Sequence, residues 1–339
     1  MQTNNQTSGI IDLQYGGGGE QMNKLLDDVV FHYLRNDILN VRHDGAFLDL
    51  EGRLAFSTDS YVVSPLFFKG GNIGDLAVNG TVNDLAMCGA VPRYLSLAFI
   101  IEEGFAMQRF VDIVKSIRMA ASHAGVQVVT GDTKVVEHGK GDGIYINTSG
   151  IGTLHARAAI GIDNIREGDA VLVNASIATH GMAIMSEREG LQFGSDIVSD
   201  TAPLNHTVLT LMERFGGGIR FLRDATRGGL ASILHEIATA GCFGIDLVEE
   251  RLPVLSDVRN ACELLGLDPV YVANEGVFIC VVPDSIREAV LETLRIEDPA
   301  AAHIGTITTD HPGKIISASA FGGRHVVHPL VGEQLPRIC

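Results

Sequence analysis

Residues 70–86 read GGNIGDLAVNGTVNDLA, and this stretch decides the fold that we expect for the chain. Two glycines open it as a turn, and apolar residues then recur at helical intervals from Ile73 onward. Asn83 and Asp84 interrupt the apolar pattern near its end. Polar groups on a buried helix cost free energy unless they are bonded, so the stretch predicts a buried helix with a binding function.

Apolar strands and helices alternate around this stretch, which predicts an α/β protein. In the first half, the pattern predicts strands at 47–50, 95–101, 126–129 and 144–152, and a helix at 110–121. In the second half, it predicts strands at 170–174, 270–272 and 277–282, and helices at 181–188, at 204–215 and after Gly229. The same mixture therefore occurs twice along the chain.

Length and composition fit two such units. A chain of 339 residues exceeds one ordinary core and matches two domains of about 150 residues plus a tail. We expect a glycine-rich segment and helix over residues 1–40, an N-terminal domain over 41–153, a C-terminal domain over 154–321 and a mobile tail over 322–339. Apolar residues make up 46% of the chain and charged residues 19%, so a sizeable core can be buried.

The charge balance argues against two classes of partner. With 25 basic and 41 acidic residues, the chain has a net charge of −16, which disfavours nucleic acid and anionic membranes. Its longest apolar run, 95–101, is too short to cross a bilayer, and residues 1–9 lack a secretory signal, so we expect a cytoplasmic protein. The five cysteines include no CxxC pair, which argues against a disulfide framework and a zinc knuckle.

Four aspartates fall at predicted strand ends, turns or helix faces, where several could converge on one edge of a sheet. They are Asp44, Asp59, Asp84 and Asp132. Converging carboxylates repel one another unless cations lie between them, and a few hard oxygens per metal suit Mg²⁺ bound to a nucleoside triphosphate. Lys134 can place its charge against the phosphates. The alternative is that each aspartate is an ordinary turn or cap residue.

Four glycines at 16–19 precede another predicted helix. Because glycine has no Cβ, the backbone N–H groups of Gly17 and Gly18 can approach phosphate oxygens closely. A mobile linker would explain the same run. The glycine spacing matches neither the Walker loop nor the dinucleotide fingerprint.

The second half adds two polar motifs. Arg223 and Arg227 flank Asp224 just before two glycines open a helix, which makes a candidate anion site. Glu275 lies in a turn between two predicted strands. It can take a proton if it faces the tail, and otherwise it is an ordinary surface residue.

The chain's last residues, Pro336-Arg337-Ile338-Cys339, place a thiol at the end of a segment that can travel. Prolines at 329 and 336 bias this tail towards extended backbone, and chain ends are ordered only where something holds them. At about 3.3 Å per residue, the tail spans on the order of 50 Å. Taken alone, the cysteine could equally be an accident of sequence.

Together, these motifs resemble the HypE family of hydrogenase maturation carbamoyl dehydratases over essentially the whole chain. The terminal Pro-Arg-Ile-Cys is specific to that family. The earlier motifs are shared with aminoimidazole ribonucleotide synthetase, selenophosphate synthetase and thiamine-monophosphate kinase. The resemblance is carried by residues 58–61, 70–74 with Asn83-Asp84, 130–134, 223–229, 274–276 and 336–339.

The resemblance implies a two-domain PurM-like (AIR synthase-like) α/β fold and a homodimer whose N-terminal sheets pair in a barrel, with ATP and Mg²⁺ as cofactors. In the family, the C-terminal cysteine receives a carbamoyl group from the carbamoyltransferase HypF. ATP then converts the thiocarboxamide to a thiocyanate, and the cyanide passes to iron on the HypC–HypD complex.

Carried over motif by motif, the resemblance also assigns roles to individual residues. The catalytic candidates are Cys339, Lys134, Glu275 and Arg337. The cofactor-binding candidates are Gly17, Gly18, Asp59, Asn83, Asp84, Gly131, Asp132, Thr133 and Asp224. The metal candidates are Asp44, Asp59, Asp84 and Asp132.

Two other functions stay open. One is that of another ATP-dependent member of the superfamily, such as a selenophosphate synthetase. The members with a catalytic sulfur or selenium carry it near the N-terminal glycine loop, but here no cysteine precedes Cys88. A non-catalytic carrier would use the thiol only to shuttle a group and would not turn over nucleotide.

Overall fold

Two β-sheets organise the protein, one in each half of the chain. The computed structural model describes residues 9–190, 197–319, 322–332, 335 and 337–339. The N-terminal half contains β1 (Ile10–Ile11), α1 (Glu20–Leu25), α2 (Phe31–Leu34), β2 (Leu54–Tyr61), β3 (Phe67–Phe68), β4 (Gly71–Asn72), α3 (Ile73–Met87), β5 (Ala90–Glu102), β6 (Phe105–Ala106), α4 (Met107–Ala124), β7 (Gln127–Val136) and β8 (Ile144–Leu154).

The C-terminal half repeats the mixture of strands and helices. It contains β9 (Ala170–Val173), α5 (Thr179–Glu189), α6 (Asn205–Phe215), β10 (Phe221–Asp224), α7 (Gly229–Gly241), β11 (Gly244–Val248), α8 (Ser256–Leu265), β12 (Phe278–Val282), α9 (Arg287–Glu297), β13 (Ala302–Thr308), β14 (Ile315–Ala318) and β15 (Arg324–Val327).

The N-terminal sheet has the strand order β2-β8-β5-β7, with β5 and β7 parallel and the other pairs antiparallel. Side chains alternate across a strand, and on β5 Leu97 and Phe99 are buried while Ile100 is exposed. The buried face contacts α3, and the other face stays open. A sheet covered on one side only is typical of antiparallel pairing.

Helix α3 is the predicted buried helix, and it lies between the N-terminal sheet and the C-terminal half. Every residue of α3 except Asp75 and Asp84 is buried. The helix begins at a capping box, in which Asn72 Oδ1 accepts the Gly74 N–H at 2.8 Å and Asp75 accepts the Asn72 N–H at 2.7 Å. A Cβ on Gly74 would lie 2.6 Å from the Ile113 carbonyl oxygen, so glycine lets α4 approach closely.

The C-terminal sheet has the strand order β10-β12-β9-β13-β11-β14-β15, and only β11 and β14 are parallel. Its central strands β9 and β12 are buried along their whole length, which explains their uninterrupted apolar sequences. Among the described residues, no helix is long and apolar enough to cross a membrane.

Two predicted strands are wrong. Residues 47–50 form no strand. Phe47 is 75% exposed, so its apolar side chain does not mark a buried strand. Residues 270–272 overlap a short 3₁₀ turn, Pro269–Tyr271. Asp268 caps that turn by accepting the Val270 N–H at 3.1 Å. Pro269 occupies the first position of the turn, where proline is favoured.

The predicted boundary between the C-terminal domain and the tail is too early. Strand Arg324–Val327, placed in the tail by the sequence, pairs with β14 and forms the edge of the C-terminal sheet, with Val327 opposite Ile315. The two valines that end this strand favour a β-strand. The glycines just before it instead led to the prediction of a mobile tail. The tail proper therefore starts after Val327.

Candidate active site

Residues 337–339 lie between the two halves, alongside the chain that continues from β2. The Val62 N–H donates to the Cys339 carbonyl oxygen at 3.1 Å, and the Ser64 N–H donates to the Arg337 carbonyl oxygen at 3.2 Å. Residue numbers that rise on one segment and fall on the other describe an antiparallel pair. The end of the tail is therefore docked in this structure, and its mobility stays a prediction.

Charged side chains from both halves hold the docked tail. Arg337 donates from Nε to the Val62 carbonyl oxygen at 2.9 Å and forms an ion pair with Asp142. From the other half, Arg188 donates to the Arg337 carbonyl oxygen at 3.0 Å. These contacts make Arg337, a predicted catalytic residue, an anchor of the tail.

The residue before the cysteine is anchored as well. The Ile338 side chain is 2% exposed and belongs to the main hydrophobic core. Its carbonyl oxygen lies 2.8 Å from His180 Nε2. Pro336 of the predicted motif lies outside the described residues.

Burial changes the chemistry of the Cys339 thiol. Loss of solvent raises its pKa well above the ordinary value, the negative charges of Glu275 and Asp59 raise it further, and Arg227 opposes them. The docked sulfur is therefore a neutral thiol. Because the thiolate is the nucleophilic form, docked Cys339 is poorly suited to attack a carbamoyl donor.

Glu275, a predicted catalytic residue, lies close enough to Cys339 for its charge to act on the thiol. The Glu275 side chain is 4% exposed, and burial raises its pKa well above the usual range. The neighbouring charges of Asp200 and Asp224 add to the rise, and Arg227 opposes it. A carboxyl group with a raised pKa in a dry cleft is suited to proton transfer.

Asp200 fixes the backbone of the turn that carries Glu275. Its two carboxylate oxygens accept the N–H groups of Glu275 and Gly276, each at 3.2 Å. Burial raises the pKa of Asp200 to about 6, against the opposing effect of these two hydrogen bonds. A Cβ on Gly276 would lie 2.0 Å from the Asp200 carbonyl oxygen, so only glycine permits this approach.

Asn83 joins the two halves of the protein. Its Nδ2 donates to the carbonyl oxygens of Ala202 at 3.0 Å and Glu275 at 3.3 Å, and its Oδ1 accepts the Leu204 N–H at 2.8 Å. Protein groups thus use the amide that the sequence assigned to cofactor binding. The contacts of Asn83 are those of a residue that positions Glu275.

Three aspartates gather where α3 meets β2 and β10. Burial raises the pKa of Asp84, the Asp59 charge adds to the rise, and a 2.6 Å hydrogen bond from Ser57 opposes it. The pKa of Asp224 is raised to about 7, mainly by burial and next by the Asp84 charge. Carboxylates whose charges raise the pKa of a neighbour in this way attract a cation.

A second group of predicted residues lies on β7, at the opposite edge of the N-terminal sheet. Gly131, Asp132 and Thr133 line a cavity of about 260 Å³, together with Asp44 and apolar side chains from α1 and α2. Lys134 Nζ donates to Asp132 Oδ1 at 2.7 Å and is the main cause of that carboxyl group's lowered pKa. The cavity therefore combines an apolar wall with carboxylates and the cation Arg42, and Lys134 binds one of those carboxylates from beside it.

The glycine run packs against the same strand. A Cβ on Gly16 would lie 2.7 Å from the Val135 backbone nitrogen, so glycine is needed for this close approach. Gly18 has a left-handed φ of 75° and open space around the position of a Cβ. The loop that the sequence assigns to phosphate binding, Gly17 included, thus lies on the β7 side of the sheet.

Within one chain, the four predicted metal-binding aspartates lie at two separate places. Strands β8 and β5 lie between Asp59 on β2 and Asp132 on β7. At about 4.8 Å per strand, the two residues are roughly 14 Å apart across the sheet. Among the described residues, no three His, Cys, Asp or Glu side chains lie close enough to hold a metal ion. The structure instead pairs Asp59 with Asp84 and Asp44 with Asp132.

Three residues that shape the cleft were not found from the sequence: His180, Arg188 and Asp200. Each acts on a partner far away in the chain, namely the tail or Glu275. A lone histidine in the apolar pattern of α5 was the only visible signal. Arg188 and Asp200 carry no local pattern that separates them from surface residues.

Comparison with known families supports the two-domain description. The family described as AIR synthase related protein, N-terminal domain, matches residues 42–154. The family described as AIR synthase related protein, C-terminal domain, matches residues 166–317. Together with the two sheets, these matches confirm the predicted AIR synthase-like α/β fold.

Full-length relatives identify the subgroup. The carbamoyl dehydratase HypE of Azotobacter vinelandii is 48% identical to this chain over 98% of both sequences. The chain belongs to the HypE family. A crystal structure of HypE in complex with ATP has a TM-score of 0.94 at 46% identity and covers 97% of this chain and 99% of that one. HypE in a HypE–HypF complex has a TM-score of 0.80 at 44% identity, covering 90% and 99%. HypE membership confirms the family predicted from the motifs.

Proposed function

We propose that the protein uses ATP to dehydrate a carbamoyl group carried on Cys339, giving a thiocyanate whose cyanide becomes a ligand of hydrogenase iron. The docked tail carries this proposal, because it brings the cysteine into a buried cleft beside Glu275. The similarity to carbamoyl dehydratase HypE along the whole chain supports the same activity.

The reaction removes an oxygen atom from an amide. The carbonyl oxygen of the S-carbamoyl group attacks the γ-phosphorus of ATP, ADP leaves, and one amide proton is lost. The C–O bond then breaks, phosphate leaves with the oxygen, and loss of the second N–H proton completes the C≡N bond. Phosphorylation is needed because the oxygen would otherwise leave as hydroxide. Water has to be excluded, since it would hydrolyse the phosphorylated intermediate.

Glu275 is the residue that we assign to proton removal. A raised pKa makes its carboxylate form a stronger base than an ordinary glutamate. Asp200 and Asn83 hold its backbone, so its position is fixed from both halves of the protein. Preorganisation of this kind avoids reordering the site during the reaction.

Loading of the carbamoyl group takes place with the tail undocked. The docked thiol is neutral because its pKa is raised by burial and by two nearby acidic groups, whereas transfer of the group needs a thiolate. Outside the cleft, these influences are absent. Once the carbamoyl group is attached, the sulfur has no proton to lose, so burial of the docked tail no longer affects its ionisation.

Two sets of residues fit ATP and Mg²⁺. The β7 cavity, with Lys134 beside it, offers an apolar wall and a cation for a nucleotide. Asp59 and Asp84 would hold Mg²⁺ together with phosphate oxygens, since Mg²⁺ usually takes only one or two carboxylates and completes its shell with phosphate and water. When bound, the ion supplies positive charge that neutralises the transferred phosphoryl group.

A homodimer is part of the proposal, because the two sets lie at opposite edges of one sheet. The open face of the N-terminal sheet carries Phe56, 70% exposed, and Ile100, 45% exposed. Covering this apolar surface with the same face of a second copy is favourable. The β7 cavity of one copy would then complete the aspartate cluster of the other.

We further propose HypF as the carbamoyl donor and the HypC–HypD complex as the cyanide acceptor. A HypE–HypF complex is known for a relative that covers 90% of this chain. All five cysteines are free, and the reaction requires Cys339 to stay reduced. A reducing cytoplasm meets that requirement.

Intact mass measurement tests the proposal. Incubation with the carbamoyl donor should add one carbamoyl group at Cys339, and ATP with Mg²⁺ should then remove the elements of one water. Cys339→Ala should block both steps, while Asp84→Asn should load normally and fail to dehydrate. Loading without any ATP-dependent mass loss in the parent protein would instead identify a thiol carrier. A dehydrated Asp84→Asn product would remove that aspartate from the mechanism.

A further inference from the structure

His180 lies on α5, fully buried between the docked tail and the segment that precedes α6. Its Nε2 is 2.8 Å from the Ile338 carbonyl oxygen, and its Nδ1 is 2.7 Å from Ser199 Oγ. Both ring nitrogens are therefore used. Phe68 covers the ring edge-on, with ring centroids 5.6 Å apart.

The partners fix which nitrogen carries the proton. A carbonyl oxygen only accepts, so Nε2 carries the hydrogen and donates it to Ile338. Nδ1 then accepts from the Ser199 hydroxyl, whose oxygen in turn accepts the Thr201 N–H at 3.2 Å. Burial lowers the pKa of His180 to about 4, so the ring stays neutral and keeps this tautomer at physiological pH.

This chain of hydrogen bonds leads towards Glu275. Ser199 and Thr201 flank Asp200, whose carboxylate accepts the N–H groups of Glu275 and the next residue. The backbone of Ser199 is fixed from a third side, because its N–H donates to the Lys69 carbonyl oxygen at 2.9 Å. A short rigid segment thus touches the tail through His180 and the Glu275 turn through Asp200.

We infer that His180 is a positioning residue for the dehydration: it fixes the register of the docked tail and couples docking to the placement of Glu275. The inference rests on the proposed function. The bond goes to the backbone carbonyl one residue before the cysteine, so it is independent of the group on the sulfur. This hydrogen bond between His180 and the Ile338 carbonyl oxygen, which we call the latch, can therefore hold the free, the carbamoylated and the cyanated tail.

Alkylation of Cys339, measured on the tail peptide, tests the latch without any turnover. Only the undocked thiol ionises readily, so the rate reports the undocked fraction. His180→Phe removes the N–H donor while keeping a ring, and should raise the alkylation rate about fivefold, as for loss of one buried hydrogen bond. His180→Gln keeps an N–H donor and should restore most of the protection. Ser199→Ala should give a smaller rise, because the tautomer is no longer fixed.

His235→Phe is the matched control, because His235 Nε2 also lies 2.9 Å from a backbone carbonyl, that of Val327. It should leave alkylation of Cys339 unchanged. In single-turnover assays on pre-loaded protein, His180→Phe should slow dehydration because the Glu275 turn is no longer held in place by the docked tail, and it should leave loading intact.

Unchanged alkylation in folded His180→Phe, or equal acceleration in His180→Gln, would overturn the inference. If His180→Phe does not fold, Ser199→Ala decides it by the same measurement. If the variants change the alkylation rate as expected but the parent protein never dehydrates its loaded cysteine, the proposed function is refuted and the inference about His180 stands.

Discussion

The docking of the tail can be weakened in graded steps at Ile338. This side chain is 2% exposed. Ile338→Ala removes three buried carbons, which costs about 2.4 kcal/mol at ~0.8 kcal/mol per carbon. Since 1.4 kcal/mol corresponds to about a tenfold change, the undocked fraction should rise roughly fiftyfold. Ile338→Val removes one carbon, and the same reasoning gives a rise of about fourfold.

The rate of Cys339 alkylation measures these changes directly as long as the docked form predominates. Modification then occurs only through transient undocking, and its rate is proportional to the undocked fraction. Val331→Ala, at a site 90% exposed in the same tail, should have no effect and serves as the control. If the alanine and valine variants react like the parent, burial of Ile338 does not hold the tail.

Three further perturbations address the cleft. Glu275→Gln should permit carbamoyl loading and abolish the ATP-dependent mass loss, because an amide cannot take the N–H proton; a dehydrated product would exclude Glu275 as the base. The pKa of Asp224 is raised from 3.8 to about 7 in the folded protein, so its contribution to stability is complete below about pH 4 and is lost as the pH rises to 7. Asp224→Asn should therefore raise the free energy of unfolding of the ligand-free protein at pH 8 and not at pH 3.5, and an equal effect at both values would contradict the shift. Gly276→Ala places a Cβ 2.0 Å from the Asp200 carbonyl oxygen and should destabilise by about 1–3 kcal/mol in denaturant unfolding, whereas Gly217→Ala, whose Cβ would have its nearest neighbour at 3.9 Å, should not.

The parts of the structure that depend on local patterns were predicted well. The buried helix α3, strands β5 and β8, the start of β7 and the repetition of the mixture in the second half follow from apolar periodicity, whereas β7 continues to Val136, well past the predicted strand. The errors lie where pairing partners decide the outcome. Residues 47–50 have an apolar sequence but no neighbouring strand. Arg324–Val327 pairs with β14 although its sequence resembles that of a tail.

The candidate site was predicted only in part, for a related reason. Asp59 and Asp132 were expected to converge because both were predicted at a strand end or turn, but strand order is a tertiary property, and it puts β2 and β7 at opposite edges. His180 meets Ile338 across 158 positions of sequence, so no local spacing announces the contact. Asn83 was correctly singled out as a polar residue that needs partners, and those partners are protein groups.

The docked residues 337–339 touch both halves and lie between them. The segment that carries the substrate therefore also closes the cleft. In the proposed reaction, water can enter the cleft when the tail undocks to load the cysteine or to pass on its product, and the returning tail excludes it again. In that proposal, the movement that carries the substrate also protects the phosphorylated intermediate from hydrolysis, and no separate lid is needed.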